Sequence, residues 1–308
     1  MDLLFWLAVF AVTLFTLVKA SDYFIDNSEK VGLSFGLPSF IIGITLVAFG
    51  TSLPELVSSL VAVFKGASEI VVGNVTGSNI TNILLVFGTV CYTGSHLPLT
   101  FKLKKMDIVM FLGSTLLLGA AIWNLHFAKW EAILCLVGLV VYLFTLFTQK
   151  TDEDGAARPK LEWYVVPLIA LSGIAIWLSA QYNIEAIIKL SEMLPIGPEV
   201  IALTAVAFGT SLPELIVSVS AVRKGNVDMA VGNILGSNVF NILAVMGIPG
   251  LIGNLEIKEV ILDFSLPVMI IASFAYFALV SRGQLYRGAG LVLLLLYILF
   301  LIGSYWLG

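Results

Sequence analysis

Two glutamates stand where ionised side chains are costly. Glu55, in 45–56 (TLVAFGTSLPEL), and Glu214, in 204–215 (TAVAFGTSLPEL), each lie well inside an apolar run. A carboxylate near the centre of a membrane span costs about 2.5 to 3.5 kcal/mol on insertion scales, so something must compensate it. No Lys or Arg lies at comparable depth, which makes a bound cation the simplest partner. The alternative is a protonated Glu hydrogen-bonded to a neighbouring helix; it would have to hold twice over, at matched positions.

The neighbours of these acids are oxygen donors. Pro54 and Pro213 lack an N–H and free the carbonyls of Gly50 and Gly209; the plain alternative is a Pro kink with no ligand role. Thr51 precedes Glu55 by four residues, and Thr210 precedes Glu214 likewise, which puts hydroxyl and carboxylate on one helix face. Downstream, Asn74, Ser78 and Asn82 recur every four residues, as do Asn233, Ser237 and Asn241. Such stripes either ligate an ion or join helices by side-chain hydrogen bonds; their duplication beside the duplicated Glu favours ligation. Gly73 with Gly77, and Gly232 with Gly236, are spaced for close helix packing. The donor set is all oxygen and suits Ca2+, Na+ or Mg2+. Neither His96 nor His126 is mid-span, and Cys91 and Cys135 read as buried apolar residues.

The elements that position these groups follow from hydropathy. With 59% hydrophobic and 12% charged residues and a mean hydropathy of +1.03, a water-soluble globule is excluded. Ten spans are predicted, at 2–19, 38–64, 69–91, 106–123, 128–148, 162–179, 199–222, 228–252, 260–280 and 288–307. Aligned without a gap, 50–88 and 209–247 share roughly 23 of 39 residues, so the chain is a duplicated unit. Five spans per copy is an odd number, so the second copy enters the bilayer from the opposite side. The expected architecture is all-α: ten transmembrane helices in two inverted five-helix repeats, 1–149 and 161–308, joined by a linker at 150–160.

Basic residues orient this layout. Twelve of the 16 Lys and Arg fall on one side of the ten-span scheme and four on the other, which places both termini outside a cell membrane. A net charge of -4 with dispersed basic residues excludes a nucleic-acid surface. There is no HExxH pair and no Ser with a mid-span His, so no intramembrane enzyme is indicated. No resident cofactor and no obligatory protein partner are expected. A channel would assemble around a shared pore, whereas inverted repeats in one chain need none.

GTSLPE followed by GNxxGSNxxN, twice, resembles the alpha-repeats of the sodium/calcium exchanger family within the cation/calcium antiporters. The resemblance implies that Glu55 and Glu214 bind calcium together with Thr51 and Thr210. It implies sodium sites drawing on carbonyls at Ala48 and Ala207 and on Ser52, Ser211, Ser78 and Ser237. It also implies that spans one and six slide as a pair past the other eight, with Ca2+ and Na+ as cargo; H+ is the alternative driving ion. Many members carry Asp where this chain has Asn241, the counterpart of Asn82. The central charge is then about -2 rather than -3, which disfavours a crowded multi-sodium state.

Overall fold

The computed structural model describes residues 2–64, 66, 68–93, 96–101, 105–148, 160–193 and 211–307. The helices, in chain order, are α1 (Asp2–Ser34), α2 (Ser39–Phe64), α3 (Ile70–Thr93), α4 (Lys105–Ala121) and α5 (Lys129–Thr148) in the first half. The second half has α6 (Val165–Glu192), α7 (Leu212–Arg223), α8 (Val227–Ile252), α9 (Ile261–Val280) and α10 (Arg287–Leu307). Eight are long and apolar enough to cross a bilayer; α4 is shorter, and α7 begins where the described residues resume. The chain is an all-α polytopic membrane protein. The expected linker at 150–160 lies, apart from Lys160, outside the described residues.

Burial sorts the helices into layers. Of its apolar stretch, 83% is buried in α8, 72% in α3 and 61% in α2, against 11% in α1 and 17% in α10. These three and α7 carry the polar motifs, while Leu4, Phe15 and Trp306 face outward as lipid-contacting surface.

Short strands join the loops across the two halves. β1 (His96–Pro98), between α3 and α4, pairs antiparallel with β4 (Gln284–Tyr286), between α9 and α10. β2 (His126–Phe127), between α4 and α5, pairs antiparallel with β3 (Leu255–Glu256), between α8 and α9. Hence α4 runs from the first strand pair to the second, while its repeat counterpart α9 runs back. The two are antiparallel, as inversion of the repeats requires. Both His residues lie in these strands, outside the helices, and both cysteines are free and buried.

Two helices exceed their predicted length. At 33 residues α1 spans about 50 Å, well beyond a hydrocarbon core of about 30 Å. Hydropathy ends the span at Lys19, but a buried stripe of Leu17, Ala20, Phe24, Ile25, Ser28 and Val31 continues the helix with period 3.6. α6 extends in the same way to 28 residues. The two lie side by side, and Asn183 Nδ2 of α6 donates to Phe10 O (3.1 Å) and Thr13 Oγ1 (2.9 Å) of α1.

Matched turns end the second helix of each half. Gly66 (φ +75°) and Gly225 (φ +80°) take the left-handed conformation that a side chain would strain, and each leads into a central helix. The second turn is closed by Asn226 N–H donating to Ala221 O at 2.8 Å.

Candidate cation-binding site

The site begins with a break in helix geometry. Ser52 sits between the helical segments Ala48–Thr51 and Leu53–Phe64 at φ -91°, ψ 5°, and Ser211 precedes α7 at φ -91°, ψ 4°. This near-identity of two bridge-region residues is the structural imprint of the duplication. Pro54 and Pro213 come two residues later and cannot extend the preceding hydrogen-bond ladder. Each Glu therefore falls in the first turn of a new helix, where the positive end of the helix dipole favours a carboxylate.

That dipole is partial compensation only. Glu55 is 1% exposed and Glu214 fully buried. Ser52 Oγ donates to Glu214 Oε1 at 3.2 Å, across the two halves, while Glu214 Oε2 has no hydrogen-bond partner among the described residues. Among the same residues Glu214 makes no ion pair; a bridge from Lys224 Nζ to Asp26 Oδ1 at 2.5 Å lies apart from it and is partly exposed.

Around these acids the polar stripes converge. The Thr51 hydroxyl lies 3.4 Å from Ala48 O, 3.3 Å from Asn233 Oδ1 and 3.5 Å from Ser237 Oγ. All three are longer than a settled O–H···O bond of 2.7–2.8 Å, so its oxygen is loosely held and able to ligate. Ser78 Oγ donates to Asn74 Oδ1 at 3.4 Å. Asn82 and Asn241, both fully buried, each begin a π-helical turn, Asn82–Phe87 and Asn241–Val245. Such turns widen the helix and redirect its side chains at functional sites. The turn at Asn82 packs against α7, which carries Glu214, and the turn at Asn241 against Leu53–Phe64, which carries Glu55. Among the described residues neither Asn82 side-chain atom is hydrogen-bonded, nor is Asn241 Oδ1 or Ser211 Oγ.

The first member of each stripe has a different task. Asn74 Nδ2 donates to Ser59 Oγ at 3.0 Å and Asn233 Nδ2 to Ser218 Oγ at 2.9 Å, repeat-matched bonds that tie α2 to α3 and α7 to α8. These amides join helices. The Ala48 carbonyl accepts from Ser52 N at 3.0 Å, and its second lone pair has only the long 3.4 Å contact from the Thr51 hydroxyl. Thr210 and Ala207 lie outside the described residues.

Residues 5–148 and 164–306 match the family described as sodium/calcium exchanger protein. The chain belongs to the sodium/calcium exchanger family. Among relatives of this exchanger, sodium/calcium exchanger MaX1 of Methanosarcina acetivorans is 34% identical over 93% of the chain and 94% of its own length. Inner membrane protein YrbG of Escherichia coli is 31% identical over 97% of each. A solved structure of the sodium-calcium exchanger NCX_Mj, soaked with Na+ and Sr2+, superposes with a TM-score of 0.82 at 29% identity, covering 97% of the chain and 98% of NCX_Mj. The protein is thus a membrane transporter of cations and not an enzyme.

Close packing holds the exchanger's site together. A Cβ on Gly232 would collide with the Phe40 backbone and one on Gly236 with the Ile44 backbone, so α2 and α8 touch main chain to main chain. The repeat counterpart of this contact, at Gly73 and Gly77, would involve residues outside those described. Sequence reasoning missed Asn79 and Asn238, the third residue of each GSN, because they lie off the four-residue stripe. Their signal was available: both are identical between the repeats and lie inside the predicted spans 69–91 and 228–252.

Proposed function

We propose that this exchanger is a secondary antiporter that moves Ca2+ against Na+ by alternating access at a central site built on Glu55 and Glu214. The observation that carries the reading is Glu214: fully buried, with one carboxylate oxygen on Ser52 and the other without a hydrogen bond among the described residues. A buried carboxylate compensated only in part costs several kcal/mol, so an empty carrier is held back from the occluded state. Cargo removes that cost and permits the change of face, which enforces exchange over leak. One Ca2+ neutralises both acids; Na+ ions do so individually, helped by the oxygens of Thr51, Thr210, Ser52, Ser211, Ser78, Ser237, Asn82 and Asn241 and the carbonyls of Ala48 and Ala207.

The moving part in this reading is the α1–α6 pair. Its helices lie along one another and are mostly outside the buried core, which suits sliding past it. Crystals of NCX_Mj soaked with Na+ and with Sr2+ or Ca2+ support the same cargo here. The repeat boundaries 1–149 and 161–308, and both termini outside, complete the scheme.

The test is 45Ca2+ uptake into vesicles loaded with Na+ or held at an imposed pH difference, with Glu55→Gln and Glu214→Gln beside the natural chain. Uptake driven by the outward Na+ gradient and lost in both variants is expected. Uptake driven by pH alone would replace Na+ by H+, and full activity in either variant would remove the two-glutamate site.

A further inference from the structure

Asn241 and Asn82 have the same residue type, the same repeat position and the same π-helical start, yet their surroundings differ. Asn241 Nδ2 donates to Asn79 Oδ1 at 3.1 Å, and Asn79 Nδ2 donates to the backbone oxygen of Asn238 at 3.3 Å. Both Asn79 and Asn238 are 1% exposed. A main-chain carbonyl only accepts, so it fixes which end of the Asn79 amide faces Asn238 O. The Asn79 oxygen is then left facing Asn241, where it can meet only a donor. Asn241 must therefore turn its nitrogen to Asn79 and its oxygen away. That oxygen is the buried Oδ1 without a hydrogen bond among the described residues, on the π turn that packs against the Glu55 helix.

The other half lacks this device. Asn238, the counterpart of Asn79, donates its own Nδ2 to Ile234 O within α8 at 2.7 Å and does not orient Asn82. Both Asn82 side-chain atoms are free of hydrogen bonds among the described residues.

We propose that Asn79 is a positioning residue: through the chain Asn238 O, Asn79, Asn241 it locks Asn241 as an oxygen donor to the transported cation, making the pseudo-symmetric site unequal in its two halves. This rests on the central-site reading above. Losing the lock lets the Asn241 amide turn its N–H2, which repels a cation, into the space where its oxygen stood. A contact between a neutral dipole and a charge is worth about tenfold or more in affinity.

A double-mutant cycle tests it in reconstituted vesicles, reading KM and kcat for Ca2+ uptake separately. Asn79→Ala is expected to raise KM about tenfold with kcat little changed. Asn241→Ala raises KM at least as much, and the double variant matches Asn241→Ala alone, because Asn79 has nothing left to orient. An unchanged KM in folded Asn79→Ala, or effects that multiply in the double variant, would overturn the proposal in favour of a packing role. Asn79→Ser, which cannot span both partners, serves if the alanine variant does not fold. Glu55→Gln run in parallel separates the two readings: full transport there brings down the central site and this proposal with it. Loss of transport there with a normal Asn79→Ala KM brings down the positioning role alone.

Discussion

Replacing Gly236 by Ala tests whether the site depends on the backbone contact between α2 and α8. A Cβ built there lies 2.7 Å from Ala48 Cβ and 2.8 Å from Ile44 C, and closer still to Ile44 O. Ordinary carbon contacts are about 3.5–4.0 Å, so the helices must part by about 1 Å. Neither obstacle is a flexible side-chain end that can swing aside. Overpacking of this kind costs about 1–3 kcal/mol. The same displacement stretches the Thr51 contacts to Asn233 and Ser237, at 3.3 and 3.5 Å, beyond hydrogen-bond reach. A misplacement of about 1 Å in a reactive or binding site can cost on the order of 10²-fold. Gly236→Ala should therefore lower the thermal unfolding temperature in detergent and depress 45Ca2+ uptake far beyond any loss of folded protein. Gly113→Ala on α4 is the control, since a Cβ there meets nothing within 4 Å among the described residues. Natural flux and stability in Gly236→Ala would refute the packing argument.

Tyr276→Phe removes the hydroxyl that donates to Val231 O at 2.8 Å but keeps the ring against Phe87. A loss of about 1 kcal/mol in stability with an unchanged Ca2+ KM is expected, read by thermal melting and vesicle uptake. Asn241→Asp places a carboxylate where an amide now donates to Asn79, and should shift the Na+ concentration that half-inhibits Ca2+ uptake. An unshifted curve would take position 241 out of the ligand set.

Among the described residues, the sequence made the apolar helices and the two buried acids legible because each depends on local composition. A carboxylate in an apolar run is visible without any structure, and duplication makes Glu55 and Glu214 a pair. The full length of α1 was not legible by hydropathy, since polar Ser21, Asp22 and Asn27 end the apolar run while the buried face continues. Nor were the π turns at Asn82 and Asn241, whose extra residue per turn is set by what the widened helix packs against. The strand pairs linking β1 to β4 and β2 to β3 are contacts between distant loops, and nothing in those short segments announces a partner. Asn74 and Asn233 show the limit most clearly: four-residue spacing marked them as ligand candidates, and only the positions of Ser59 and Ser218 reveal that their amides join helices.

Equilibrium binding of 45Ca2+ to purified protein is the most direct measurement of whether the buried glutamates hold the cargo, because it needs neither a gradient nor turnover. Saturable Ca2+ binding that added Na+ displaces is expected, with no measurable binding in folded Glu214→Gln. Undiminished binding by that variant, or Ca2+ occupancy indifferent to Na+, would contradict that expectation.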